Sequence, residues 1–267
     1  MLVEFIGSTG AGKTTVLTRV ERGLSNWTST TTADRFVTGL LGLGGVTHPT
    51  AQNLIQEVVG FPFFVFSLPQ HRAFVGRTLK LMLRNAGSSM TLISNIRSLE
   101  RKLGVHTLAN RIAGDRIILV DEGPVLATHF LVPAMSDLTA GEISMFADTI
   151  PLPDLIVYVR APIATIVSRT LRRPDPPREV ASLVRDEVAR YAESTVALFD
   201  RVVTQLRDKL PILIVDNPDM DDQHQQTMVE TIENFILNHK RQLRDSPIPA
   251  STGNSKSSLI QRRTFTP

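Results

Sequence analysis

The chain has no cysteine among its 267 residues, which excludes disulfides and thiolate-bound metal sites and suits a reducing compartment. It also has no long apolar run. The longest uncharged one, Val58 to Leu68, is too short to span a membrane and contains Pro62. Met1 leads straight into an apolar stretch with no signal peptide visible, so a soluble, cytoplasmic protein without a membrane partner is expected. No internal repeat is evident. The guanine-reading patterns N-K-x-D and T-K-x-D are missing, as is the transporter signature L-S-G-G-Q. Although the pI is about 9.5, the excess of positive charge is local. From Lys240 onward, Lys240, Arg241, Arg244, Lys256, Arg262 and Arg263 stand against Asp245 alone. The basic character belongs to a tail and not to the body, so no nucleic-acid partner is expected.

What is present is organised around residues 7–14, Gly7-Ser8-Thr9-Gly10-Ala11-Gly12-Lys13-Thr14, which fit G-x-x-x-x-G-K-[ST] without a gap. Leu2, Val3, Phe5 and Ile6 form a buried-strand run before them. Val16, Leu17 and Val20 recur at helical spacing after them, so the glycines fall at a strand-to-helix turn. Glycines let the backbone turn sharply and aim several N–H groups at phosphate oxygens. The helix adds the positive end of its dipole. The pattern predicts that residues Gly7 to Thr15 cradle the phosphates of ATP, with Lys13 reaching the β- and γ-phosphates and the Thr14 hydroxyl on Mg²⁺.

Further along, Thr28–Thr32 reads as a short second strand ending at Ala33-Asp34-Arg35. In phosphoryl-transfer enzymes of this layout that strand end faces the acceptor, so Asp34 and Arg35 are acceptor candidates. An exposed pair at a strand end is the equal alternative. Residues 39–50 read as a glycine-rich flexible loop. The pattern from Asn53 to about Ile112 is helical, interrupted by Pro62, Pro69 and Gly87, and this block (50–112) is read as an acceptor-binding insertion. Arg72 and Arg77 within it fit an anion clamp or, more plainly, a solvated helix face. Ile117–Val120 is a buried strand followed by Asp121 and Glu122. An apolar strand ending in a carboxylate is the second half of a nucleotide site. Asp121 is assigned to the metal and Glu122 to the base or acceptor-orienting role, with the reverse assignment left open.

A strand over Leu155–Val159 and a helix from Ile163 to about Arg173 come next, the latter ending in Arg169, Arg172 and Arg173. With the proline-rich loop behind them they read as a lid (169–178) that neutralises charge on the transferred group. An amphipathic helix over Glu179–Leu206 is core packing. A last strand, Ile212–Val215, leads to Asn217, in a loop that commonly packs beside adenine. A helix over Gln223 to about Leu237 closes the domain (1–240), and the basic tail (241–267) is expected to be disordered.

Together these parts resemble the thymidylate kinase and deoxynucleoside kinase group of phosphate-loop kinases. The residues that carry the resemblance are Gly7 to Thr14, Asp121-Glu122-Gly123, the strand Pro153 to Val159, Arg172-Arg173 and Val215-Asp216. It implies an α/β three-layer sandwich with a parallel five-stranded sheet in the order 2-3-1-4-5, ATP and Mg²⁺ as cofactors, and an arginine-bearing lid. It also leaves a homodimer open. In three places the chain departs from the group: Glu122 stands where an arginine usually follows the acidic residue, no Glu-Pro pair follows the second strand, and the insertion at 50–112 is long and apolar for a nucleotide-binding insert. The expected function is therefore transfer of the γ-phosphoryl group to a small acceptor, whether nucleoside, nucleotide or another alcohol. The alternative is a nucleotide-dependent switch that hydrolyses ATP and signals to a protein partner.

Overall fold

A computed structural model describes residues 1–245, apart from 47, 86–87, 175, 177–179 and 220–221. The expected tail from 246 onward, and Asp175, Pro177 and Arg178 of the expected lid, lie outside the described residues. The strands β1 (Leu2–Ile6), β2 (Thr30–Thr32), β3 (Ile117–Val120), β4 (Leu155–Arg160) and β5 (Ile212–Asp216) form one parallel sheet in the order β2-β3-β1-β4-β5. Leu2 pairs with Ile118, Val3 with Leu155 and Ile156 with Ile212. The expected strand order is the observed one.

Parallel strands covered on both faces read as continuous apolar runs, and β1 is buried along its whole length. Its side chains alternate between two cores. Val3 and Phe5 pack with Val16, Leu17, Val20 and Leu24 of α1 (Lys13–Leu24) and with Val229, Ile232 and Ile236 of the last helix. On the other face, Ile6 and Tyr158 pack with Phe74 and Phe199, while Leu2 and Val120 pack with Phe36, Val37 and Leu108. Each fully buried ring of this kind contributes about 2–3 kcal/mol relative to exposure.

The helices differ from expectation in several places. Asp34 and Arg35 do not close a strand; they open α2 (Ala33–Leu40), whose N-terminus is capped by the Thr32 hydroxyl accepting from Arg35 N–H. Gly39 belongs to that helix and not to a loop. The insertion forms two long helices, α3 (Pro49–Asn85) and α4 (Ser89–Ile112). Pro62 does not interrupt α3, whereas the interruption expected at Pro69 falls two residues later; Gly87 lies outside the described residues. The one non-helical residue is His71 (φ −108°, ψ 19°), where the chain kinks just past the second proline. Gly60 and Gly104 bring the two helices together: a Cβ on Gly104 would stand 2.5 Å from the Gly60 carbonyl oxygen.

After β3 come a 3₁₀ segment (Val125–Asp137) and α5 (Ala140–Ala147), neither of which the sequence pattern indicated. α6 covers Ile163–Leu171. α7 covers Arg185–Leu206, ending at Leu206 as expected; Glu179, where the sequence placed its start, lies outside the described residues. α8 extends over Asp222–Asp245, well beyond the expected end at Leu237. No helix among the described residues is long and apolar enough to cross a membrane.

Candidate active site

The carboxyl ends of β1 and β3 lie side by side, and the two halves of the site project from them. Gly10 and Gly12 take φ of 85° and 89°, backbone that L side chains rarely adopt, so the loop can curl only with glycine at these positions. Gly12 has a second constraint, because a Cβ there would collide with the Asn217 side chain. The loop then runs directly into α1. Lys13 Nζ donates to the Ser8 carbonyl at 3.2 Å. Burial lowers the Lys13 pKa, while Asp121 and Glu122 pull it back up.

Thr14 Oγ1 donates to Asp121 Oδ2 at 2.5 Å. A hydroxyl from the phosphate loop and a carboxylate from the next strand are thereby held at one point. Mg²⁺ is typically bound by one or two carboxylates together with phosphate oxygens and water, so this donor pair fits it. The described residues contain no cluster of three or more His, Asp or Glu that would hold a metal on its own.

From the opposite side the loop is braced. The Ala11 carbonyl accepts from Asn217 Nδ2 at 2.7 Å and from Arg169 Nη1 at 3.3 Å. Arg169 also donates to the carbonyls of Asn217 and Pro218 and pairs with Asp219 at 2.9 Å. The arginine expected to belong to a mobile lid is thus tied between α6, the phosphate loop and the chain after β5. Asn217 is buried, with its amide directed at the loop. Arg172 is exposed and donates through Nε to the Ser168 carbonyl. Arg173 is close enough to Lys13 to depress its pKa.

Asp34 and Glu122 sit in opposite electrostatic settings. Glu122 accepts from Arg101 Nη2 at 2.7 Å and from Lys102 Nζ at 3.2 Å. Lys102, then Arg101, hold its carboxyl well below the usual range despite desolvation. Arg101 also pairs with Glu57 at 3.6 Å, and Glu57 takes a further ion pair from Arg97. Asp34 is exposed to solvent, yet the protein packed around its carboxyl partly desolvates it and raises its pKa, with the Glu122 and Asp121 charges adding to the effect and the hydrogen bond from Gln56 Nε2 at 2.6 Å opposing it. Arg35 pairs with Glu21 at 3.1 Å.

Glu4, Gln56, Arg101, Lys102 and His129 were not among the candidates drawn from the sequence. A charged residue inside the apolar run of β1 was the one available signal. Glu4 is 1% exposed, its Oε1 accepts from Leu126 N–H at 2.8 Å, and Gly123 presses its backbone against the carboxyl. Desolvation pushes its pKa up to about 8. His129 is packed edge-on against Phe199, and burial, reinforced by the Lys13 and Lys102 charges, takes its pKa down to about 3, so its ring is neutral.

No family model and no curated protein matches the chain in sequence. Among solved structures, the fold is similar to deoxyadenosine kinase from M. mycoides bound to the products dCMP and dCDP. The TM-score is 0.51 at 15% identity, covering 89% of this chain and 100% of that one. The same enzyme with bound dCTP gives 0.47 at 16% identity, with the same coverage of both chains. Shikimate kinase from Bacteroides thetaiotaomicron gives 0.45 at 10% identity, over 89% of this chain and 98% of that one. With its strand order, its phosphate loop between β1 and α1, and this similarity, the chain has the phosphate-loop kinase fold.

Proposed function

We propose that the protein is an ATP- and Mg²⁺-dependent phosphotransferase acting on a small alcohol. The observation that carries the reading is the Thr14–Asp121 contact above a phosphate loop, because together they supply both protein donors that a triphosphate-bound Mg²⁺ takes in this fold. Bound Mg²⁺ supplies charge neutralisation between the β- and γ-phosphates. The loop amides and Lys13 hold the phosphates, Arg169 and Asn217 fix the loop, and Arg172 and Arg173 meet charge that grows on the transferring group.

Asp34 is the group that takes the acceptor's proton. A general base works best with a pKa near the operating pH, and Asp34 is raised toward it while Glu122 is held down by two cations. Gln56 orients Asp34. The nearby cations are already matched: Arg101 with Glu57 and Glu122, Lys102 with Glu122, and Arg35 with Glu21. This supports an uncharged acceptor, such as a nucleoside or sugar, over a phosphate or carboxylate. A thymidylate acceptor fits this arrangement less well.

We extend the reading to a homodimer. Leu54, Val58, Phe61, Val65 and Ile93 are exposed on α3 and α4, and apolar side chains exposed together on one face are a feature of association surfaces. The test of the activity is ATP consumption against nucleosides, nucleotides, sugars and aminoglycoside-like alcohols. Acceptor-dependent turnover that disappears in Lys13→Ala is expected; flat background hydrolysis with every compound would defeat the kinase reading.

A further inference from the structure

A second concave feature lies at the other end of the sheet. Trp27 and Thr28, in the turn before β2, and Leu237, Lys240, Arg241 and Arg244, near the end of α8, line a half-open groove of about 360 Å³. Trp27 and Thr28 precede the amino end of β2, whereas the phosphate loop and Asp121 follow the carboxyl ends of β1 and β3. The two sites are therefore separate.

Three properties of the groove need an explanation. Trp27, the one tryptophan in the chain, is 76% exposed. Lys240 is turned inward, its Nζ donating to Thr28 Oγ1 at 2.6 Å, and its pKa is lowered by burial and by the Arg244 charge, with Asp115 acting the other way. Lys240 and Arg244 are one helical turn apart and repel each other, and among the described residues neither they nor Arg241 enters an ion pair. Cations at a helix C-terminus complement the dipole, which accounts for their sign. It does not account for an indole beside them or for Lys240 being drawn onto Thr28.

We propose that this groove binds a nucleoside monophosphate, the base stacked on Trp27 and the phosphate held by Lys240, Arg241 and Arg244. Stacking of a base on an aromatic side chain contributes about 1–3 kcal/mol and tolerates any base. Guanidinium and ammonium groups give the phosphate charge-assisted hydrogen bonds. The volume suits one nucleotide and lies at the small end of ligand pockets. The sequence beyond Asp245 contains Lys256, Arg262 and Arg263 and no Asp or Glu, so it does not match the groove in charge.

A single tryptophan makes indole emission a reporter of this groove alone. The full chain is titrated with AMP, CMP, adenosine, inorganic phosphate and a short single-stranded oligonucleotide. Saturable quenching by both monophosphates is expected, with at least tenfold weaker binding of adenosine and of phosphate alone. The double variant Arg241→Ala/Arg244→Ala should weaken monophosphate binding at least tenfold, and calorimetry on Trp27→Ala should show a similar loss. Lys13→Ala should leave the quenching unchanged, which separates this groove from the phosphate loop whatever the enzymatic activity proves to be. The proposal is overturned if quenching does not saturate, if phosphate alone binds as well as AMP, if the oligonucleotide binds more tightly than the mononucleotides, or if Lys13→Ala abolishes the response.

Discussion

Thr14 and Asp121 are 107 residues apart in sequence, yet the hydroxyl of one donates to the carboxylate of the other at 2.5 Å. The parallel pairing of β1 with β3 makes this contact: Glu4 is level with Val120, so the phosphate loop and Asp121 emerge from the same sheet edge. An alcohol and a carboxylate brought together by the fold beside a phosphate loop suit Mg²⁺, and the proposed function uses them as its metal pair.

Removing either partner should therefore affect metal dependence first. Thr14→Ala and Asp121→Asn are each expected to reduce turnover about a hundredfold, or about 2.7 kcal/mol, and to raise the Mg²⁺ concentration giving half-maximal rate. Thermal stability should barely change, because Thr14 is exposed. Initial rates over a Mg²⁺ titration decide the matter; an unaltered half-saturation point in both variants would remove the metal assignment.

Arg169 and Arg172 are three residues apart on and just past α6 but hold different positions. Arg172→Ala should lower kcat far more than it weakens ATP binding, since a contact that strengthens in the transition state acts on turnover. Arg169→Ala should weaken ATP binding and turnover together and cost about 1–3 kcal/mol of stability, because Arg169 bonds the Ala11, Asn217 and Pro218 carbonyls. Steady-state kinetics with direct ATP-binding measurements separate the two patterns.

Much of this was legible in the sequence because it is local. The phosphate loop, Asp121 and the five strands each announce themselves within ten residues of chain, and the strand order comes from recognising the motif. The acceptor side depends on what α4 delivers from a distance. Arg101 and Lys102 look like ordinary charges on a helix until the Gly60–Gly104 contact packs α4 against α3 and carries them to Glu122. They bring positive charge beside Glu122, the position where the kinase group that the sequence resembles usually has an arginine. Asp34 was found, but its helix was not, because three threonines in a row favour a strand and Thr32 doubles as the N-cap of α2. Pro62 misled in the other direction, since α3 runs through it; the break expected at Pro69 falls just past it, at His71.

Glu4 makes stability depend on pH. Its pKa is near 4.5 when unfolded and about 8 when folded, so folding retains a proton that the unfolded chain gives up. Below pH 4.5 both states are protonated and nothing is lost. As pH rises from 4.5 to 8, the chain should lose stability, on the order of 5 kcal/mol in all, and no more from this group above that. Glu4→Gln keeps an acceptor for Leu126 N–H and carries no titrating group, so its advantage over the native chain should grow across that window. Urea unfolding at pH 5, 7 and 8.5 measures it, and a constant difference would show that Glu4 does not titrate there.

If α3 and α4 form the face between two copies, Phe61→Asp should shift the chain toward monomer in analytical ultracentrifugation. The change should leave monomer stability within about 0.5 kcal/mol, because Phe61 is 56% exposed. A native chain that sediments as a monomer at all accessible concentrations would end the dimer reading.

The two acidic residues of the acceptor side can be told apart by what each leaves behind. Asp34→Asn removes the proton acceptor and should lower kcat by a factor of about 10²–10⁴ with little change in ATP binding. Glu122→Gln removes no base; it leaves Arg101 and Lys102 with less negative charge to face, Lys102 being almost wholly buried. Turnover with an uncharged acceptor should then fall by less than tenfold, while an acceptor bearing a phosphate or carboxylate should improve relative to it, since two partly unmatched cations now adjoin the pocket. The pH profiles supply the second readout. The acidic limb of the kcat profile should persist in Glu122→Gln and vanish in Asp34→Asn. If the limb instead tracks Glu122, the base is Glu122, and Asp34 keeps only its hydrogen bond with Gln56.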